Sequence, residues 1–189
     1  MELEFQLLDC DYILLGTTPI VRLFGKTRDG KSSCAFVKNY FPYFYVQPKK
    51  DSIDTFEISL KKRFSALIKQ IEIEYKYQPV GYQKEKTLMF KITLNDPSKV
   101  PEIRDALQKE KLVEEVYEAD ILFKYRYMSD KGISGLRWLK AVGSQTRTKT
   151  VKSDIVIEAD EITEMDSLEN SDLKYLSIDI ETISDEGMP

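Results

Sequence analysis

The stretch IDTFEISLKKRFSALIKQIEIEYKY, residues 53–77, changes its hydrophobic period in mid-course. Ile53, Phe56, Leu60, Phe64, Leu67, Ile68 and Ile71 recur at three- and four-residue steps, the apolar face of an amphipathic helix. From Ile71 the sequence IEIEYKY alternates strictly, which is the period of a strand. Before it, CAFVKNYFPYFYV (34–46) reads as a strand with Pro42 at an edge or bulge. After it, KTLMFKITL (86–94) is a strand, and NDPSKVPEIRDALQKEK (95–111) is a helix with Asp96 and Ser98 as candidate caps and Pro101 in the first turn. LVEEVYEAD (112–120) returns to strand. The order from residue 34 is thus β-α-β-β-α-β, the ferredoxin-like split unit found in many unrelated proteins, RNA-recognition modules among them.

The flanks are β-rich. LEFQLLDCDYILL (3–15) and PIVRLFGK (19–26) read as strands, and RDGK (28–31) is a hairpin signal because Asp-Gly tolerates positive φ. ILFKYRYMSDKG (121–132) reads as a short helix stopped by Gly132. GLRWLKAVG and KSDIVIEAD read as two further strands, EITEMDSLENSD (161–172) as an acidic connector, and 174–180 as a strand that begins a new element.

Composition narrows the function classes. With 42% apolar residues in 189, the chain has material for a real core. No apolar run nears the ~20 residues that span a bilayer, and MELEFQLLD is no signal peptide. Two cysteines, Cys10 and Cys34, suggest no disulfide framework, so a reducing cytoplasm is expected. The absence of histidine excludes His-based zinc sites and Ser-His or Cys-His pairs within this chain. Residues 1–150 hold 26 Lys/Arg against 20 Asp/Glu, a net of +6, whereas 151–189 hold 2 against 12, a net of −10. The basic portion permits nucleic-acid contact without demanding it.

Three stretches carry candidate chemistry. Asp179 and Glu181, one residue apart at the end of an apolar run, would point to one side of a strand and could share divalent cations. The pattern equally fits two ordinary acids at a strand end. The aromatic run NYFPYFYV (39–46) suits base stacking or a β-rich core. Lys124, Arg126 and Lys131 interleave with Tyr125 and Tyr127, as phosphate contacts or as a solvated helix face.

Taken together, DCDYILL, PIVRLFGK, FPYFYV, DPSKVPEIRDAL, VYEADILFKYRYMSDKG and YLSIDIET resemble, in order and nearly in spacing, the amino-terminal part of archaeal family-B DNA polymerases. The resemblance covers the chain apart from 133–172, which is longer and more acidic than expected. It implies an α+β fold: a β-rich amino-terminal domain containing the ferredoxin-like unit, plus the first strand of an RNase H-like exonuclease domain. The implied divisions are 1–132 for template binding and uracil sensing, 133–172 for additional strands and the acidic connector, and 173–189 for the start of a 3′–5′ exonuclease domain.

The resemblance further implies that Asp179 and Glu181 are metal-binding acids of the first exonuclease motif, using Mg2+ in the full-length enzyme. On this reading the chain is a fragment without polymerase or nuclease activity of its own. Its expected partners are single-stranded template DNA and the remainder of the polymerase chain, with no membrane. Positions matching a pocket for deaminated bases are Tyr12, Pro42, Tyr43, Pro97, Val100, Pro101, Ile121, Phe123 and Arg126. Leu122 stands where the related stretch usually has proline. The alternative is a stand-alone single-strand-binding module on a ferredoxin-like core.

Overall fold

The aromatic stretch 34–46 is two strands rather than one. Asn39 holds φ at 62°, and Pro42 lacks the N–H that a continuous ladder would use. The chain breaks between them, and each half joins a different sheet. The computed structural model describes residues 1–181 and 187. Its elements are β1 (Glu2–Leu15), β2 (Thr18–Lys26), β3 (Ser32–Val37), β4 (Tyr43–Pro48), α1 (Ile53–Phe64), β5 (Ile68–Lys76), β6 (Thr87–Leu94), α2 (Val100–Leu107), β7 (Val113–Tyr117), α3 (Phe123–Asp130), β8 (Trp138–Gln145) and β9 (Ile155–Met165).

Five strands close a barrel in the order β1-β2-β3-β9-β8. Only the β3–β9 contact is parallel. The Asp-Gly turn joins β2 to β3 as its sequence requires, with Gly30 at φ 77°. Leu3, Phe5, Leu7, Val21, Leu23, Leu139 and Ile157 fill the interior, and α3 adds Phe123 and Tyr127 to the same cluster. Burial pushes the Cys10 and Cys34 thiols up to about 12, so neither is a ready nucleophile.

The other four strands form an antiparallel sheet in the order β5-β6-β4-β7. With α1 and α2 on one face this is the split β-α-β-β-α-β unit. Phe56 and Leu60 of α1 and Val100, Ile103 and Leu107 of α2 pack on Phe44, Val46, Phe90 and Ile92.

Three boundaries differ from the sequence expectation. Helix α1 ends at Phe64 and does not reach Ile71. The Leu67 N–H bonds the Phe64 carbonyl at 2.9 Å, and the Leu67 carbonyl accepts from Asn95 at 3.0 Å, tying the chain to the end of β6. Ile68 and Ile71 still reach one core because a bulge between Ile68 and Gln70 resets the alternation. Next, 161–165 is not connector but the second half of β9, paired residue by residue with Val142 to Trp138. The connector begins after Met165 and lies back on the barrel. Trp138 Nε1 donates to the Glu169 carbonyl at 2.6 Å, and buried Gln6 bonds both Asn170 Oδ1 and the Ser171 N–H. Third, 174–180 forms no strand and is exposed. A strand needs a ladder partner for its N–H and C=O groups, and no strand among the described residues pairs with it. Among the described residues, no helix is long and apolar enough to cross a membrane.

Barrel closure depends on a close approach at Gly143, where the β8–β9 register shifts. A Cβ there would overlap the Glu158 carbonyl and stand 2.9 Å from Ala159 Cα. Gly143→Ala should therefore lower stability by about 1–3 kcal/mol, as overpacking does. Gly135→Ala, which meets nothing within 4 Å, should change it by less than ~0.5 kcal/mol. Urea midpoints of the two variants check this.

Candidate functional site

Beside α3 the barrel and the sheet do not meet. They leave a cavity of about 550 Å³, within the ~300–1,000 Å³ range of ligand clefts. Tyr12 and Phe123 wall it from the barrel side, Pro42 and Tyr43 from the start of β4, Pro97, Val100 and Pro101 from the approach to α2, and Ile121 and Arg126 from α3 and the loop before it. All nine positions picked from the sequence thus line one cavity, although they come from four separate stretches of chain.

The walls are stiff for local reasons. Pro42, Pro97 and Pro101 have fixed φ, and the Pro42 carbonyl is tied to the Leu94 N–H at 2.9 Å. Asp96 accepts from the Ser98 N–H at 2.8 Å and caps the short turn that leads into α2. Tyr12 meets Phe123 edge-on, with ring centroids 5.1 Å apart. Leu122 has φ −59°, inside the range that proline would impose. Leucine at this position therefore keeps the backbone path of the cavity floor.

Two polar contacts join the layers. Arg126, 8% exposed, donates to Glu118 Oε2 at 2.6 Å and to the Glu118 carbonyl at 3.0 Å. It holds a residue whose φ is 62°, a costly conformation for a non-glycine side chain. The guanidinium also lies 4.6 Å from the centre of the Tyr43 ring. Burial works against its charge, but the bond to Glu118 together with the nearby charges of Glu118 and Asp130 and the Tyr43 phenol outweighs it, so its pKa stands above the ordinary value. On the next turn of α3, Asp130 accepts from Tyr40 at 2.7 Å and from Tyr43 at 2.8 Å. Tyr40 in turn packs on Phe123 and Tyr127.

Sequence reasoning missed five lining residues, Asp11, Arg104, Glu118, Ala119 and Asp120, and named Ser98, Leu122 and Lys124 without placing them among the pocket positions. Their local sequence carries no signal of it. The positive φ of Glu118 and the Asp11–Arg22 bond at 2.5 Å are products of tertiary structure. Three lining acids, Asp11, Glu118 and Asp120, face three lining cations, Arg104, Lys124 and Arg126. That balance favours a neutral guest over a phosphate. Asp179 and Glu181 lie apart in the exposed stretch after Asp172. No group of three potential metal ligands occurs among the described residues, so these two carboxylates do not by themselves compose a Mg2+ site. Residues 182–186, 188 and 189 of the expected exonuclease segment lie outside the described residues.

Comparison with known proteins supplies the context. The family model described as DNA polymerase family B, exonuclease domain, matches residues 114–189. The chain is 31% identical over 194 residues to DNA polymerase 2 of Aeropyrum pernix, covering 96% of this chain and 23% of that protein. It is 30% identical over 183 residues to a DNA polymerase of Pyrococcus glycovorans, covering 96% of this chain and 19% of that protein. It is 34% identical over 146 residues to the DNA polymerase delta catalytic subunit of Arabidopsis thaliana, covering 66% of this chain and 13% of that protein. The solved family B polymerase of Pyrobaculum calidifontis has the same fold, with a TM-score of 0.70 at 24% identity over 87% of this chain and 21% of that one. The chain thus spans less than a quarter of the length of each of these relatives.

Burial and then Asp130 raise the phenol pKa values of Tyr40 and Tyr43 above the ordinary 10.0. Raised folded values mean that the native state keeps these protons while the unfolded chain releases them near pH 10. Their stabilisation is full below that pH and is lost as pH rises above it. The urea midpoint of the wild type should fall above pH ~10, and that of Tyr40→Phe/Tyr43→Phe should fall less steeply. Parallel slopes would remove the phenols from the account.

Proposed function

We propose that this chain is the amino-terminal part of a family-B DNA polymerase, and that its barrel and sheet bind single-stranded template DNA and test each base for deamination in the cavity beside α3. The whole protein, on this reading, is a DNA-directed DNA polymerase with a 3′–5′ exonuclease. Asp179 and Glu181 belong to the first exonuclease motif, in the segment 173–189 that begins that domain. The remaining ligands for Mg2+ come from outside the described residues.

One observation supports the sensing role above the others: nine positions matched from separate stretches line a single preformed cavity whose charges balance. A flat, neutral base fits such a space better than a charged phosphate does. Uracil differs from thymine by one methyl group, and Pro42, Val100 and Tyr12 are the walls such a methyl would meet. Two of them are hard to move. Pro42 is tied to β6 through its carbonyl, and Val100 belongs to the core beneath the sheet. An extra methyl in a well-packed site costs ~1–3 kcal/mol, which is a preference of roughly 5- to 150-fold. Arg126 does not read the base. It holds Glu118 and Tyr43 where they are, and so keeps the cavity from collapsing.

Two oligonucleotides that differ by a single uracil-for-thymine exchange test the reading. Wild type should prefer the uracil strand by roughly 5-fold or more. Val100→Gln, whose longer side chain reaches into the cavity, should bind the two strands equally while remaining folded. Equal affinity in the wild type, or a preserved preference in Val100→Gln, would refute the assignment.

A further inference from the structure

Opposite the cavity end of the sheet, β5 and β6 run on together past β4. The register of β4 on β6 ends at Val46–Phe90, whereas β5 and β6 stay paired to Lys76–Thr87. The ribbon and its loop, YKYQPVGYQKEK (75–86), stand out as an arm. A two-stranded ribbon exposed to water does not keep large rings uncovered for its own stability. Here Tyr75 is 62% exposed, Tyr77 55% and Tyr82 91%. Lys84 and Lys86 are exposed, and neither forms an ion pair among the described residues. Lys86 lies 5.7 Å from the Tyr77 ring centre.

The face of the sheet free of helices links this arm to the cavity. Tyr43, at the cavity, carries Lys91 4.7 Å from its ring. Tyr45 packs against Tyr43, and Lys76 lies 4.0 Å from the Tyr45 ring and bonds its hydroxyl at 2.9 Å. Along this row Glu72 and Glu74 offset Lys91. Past this row, in the loop, Lys84 and Lys86 flank Glu85 in sequence yet form no ion pair among the described residues.

We propose that the arm is a second contact for single-stranded nucleic acid, with Tyr77 and Tyr82 stacking on bases and Lys84 and Lys86 meeting phosphates. Rings can stack on bases and lysines can meet phosphates, and neither contact needs a particular sequence. The inference rests on the single-strand reading above but uses different residues. A strand held at both places crosses the length of β6, eight residues or about 25 Å.

The test uses an oligothymidylate of about 16 nucleotides, the upper end of a single-domain site. It contains no uracil, so the cavity's preference does not enter. Tyr77→Ala/Tyr82→Ala should lower affinity by roughly 5-fold or more. Lys84→Gln/Lys86→Gln should flatten the slope of log affinity against log salt by about 1.4, or ~0.7 per phosphate contact on a single strand. The uracil-to-thymine ratio, measured on a second pair of strands, should keep its wild-type value in both variants. Unchanged affinity and salt slope would overturn the proposal and leave the arm as a surface for a protein. An equally large loss on duplex DNA would overturn the single-strand assignment. A wild-type ratio of one defeats the cavity reading alone, and the arm is then judged by the oligothymidylate arms only.

Discussion

Helix α3 is the element on which the rest of the arrangement depends. It has eight residues, and its side chains serve both layers. Phe123 and Tyr127 face the barrel interior and complete its core. Arg126 and Asp130 reach the sheet through Tyr43, and the two loops that join barrel and sheet through Tyr40 and Glu118. Nothing so short is a stable helix by itself. It forms because each turn is held by an aromatic packing contact on one side and a charge-assisted hydrogen bond on the other. The cavity is the space this double attachment leaves. If α3 moved toward either layer, the prolines and tyrosines around it would close together as ordinary core.

The same attachment explains why a strained residue persists. Glu118 sits at positive φ, which costs of order 1–3 kcal/mol for a side chain of its kind. Arg126 binds both its carboxylate and its carbonyl, so local strain is set against a buried, bidentate contact. The proposed function would give this geometry a purpose, since a cavity meant to discriminate by one methyl has to be rigid before its guest arrives. Rigidity comes from three prolines, a capped turn and the Asp130 bonds to two phenols, rather than from any single wall.

Much of the fold was legible along the chain because its signals are local. The helical face from Ile53 to Phe64, the Asp-Gly turn, and the alternation at 71–77 each report a conformation that a few residues determine among themselves. Barrel closure was not legible. Ser33 pairs with Ile155, and no pattern around either residue names the other. The break at Asn39 and Pro42 was half visible, since proline marked a discontinuity without saying that two sheets begin there. The run to Met165 in β9 was hidden because its acids read as connector, while Ile162 packs on the barrel core. The nine cavity positions came from resemblance, because stretches so far apart share no periodic signal. Asp130 and Glu118 escaped for the complementary reason: each looks like a surface acid until Tyr40, Tyr43 and Arg126 are placed beside it. The stretch 174–180 has strand character without a strand, since no strand among the described residues pairs with it.

A preformed cavity held open by α3 is the central claim, and a crystal structure of this chain with a uracil-containing single strand tests it most directly. The account predicts the uracil ring seated between Pro42, Val100 and Phe123, with the Asp130 bonds to Tyr40 and Tyr43 and the Arg126 bonds to Glu118 unchanged from the unbound protein. A base bound elsewhere, or one admitted only after those bonds break and α3 shifts, would contradict it.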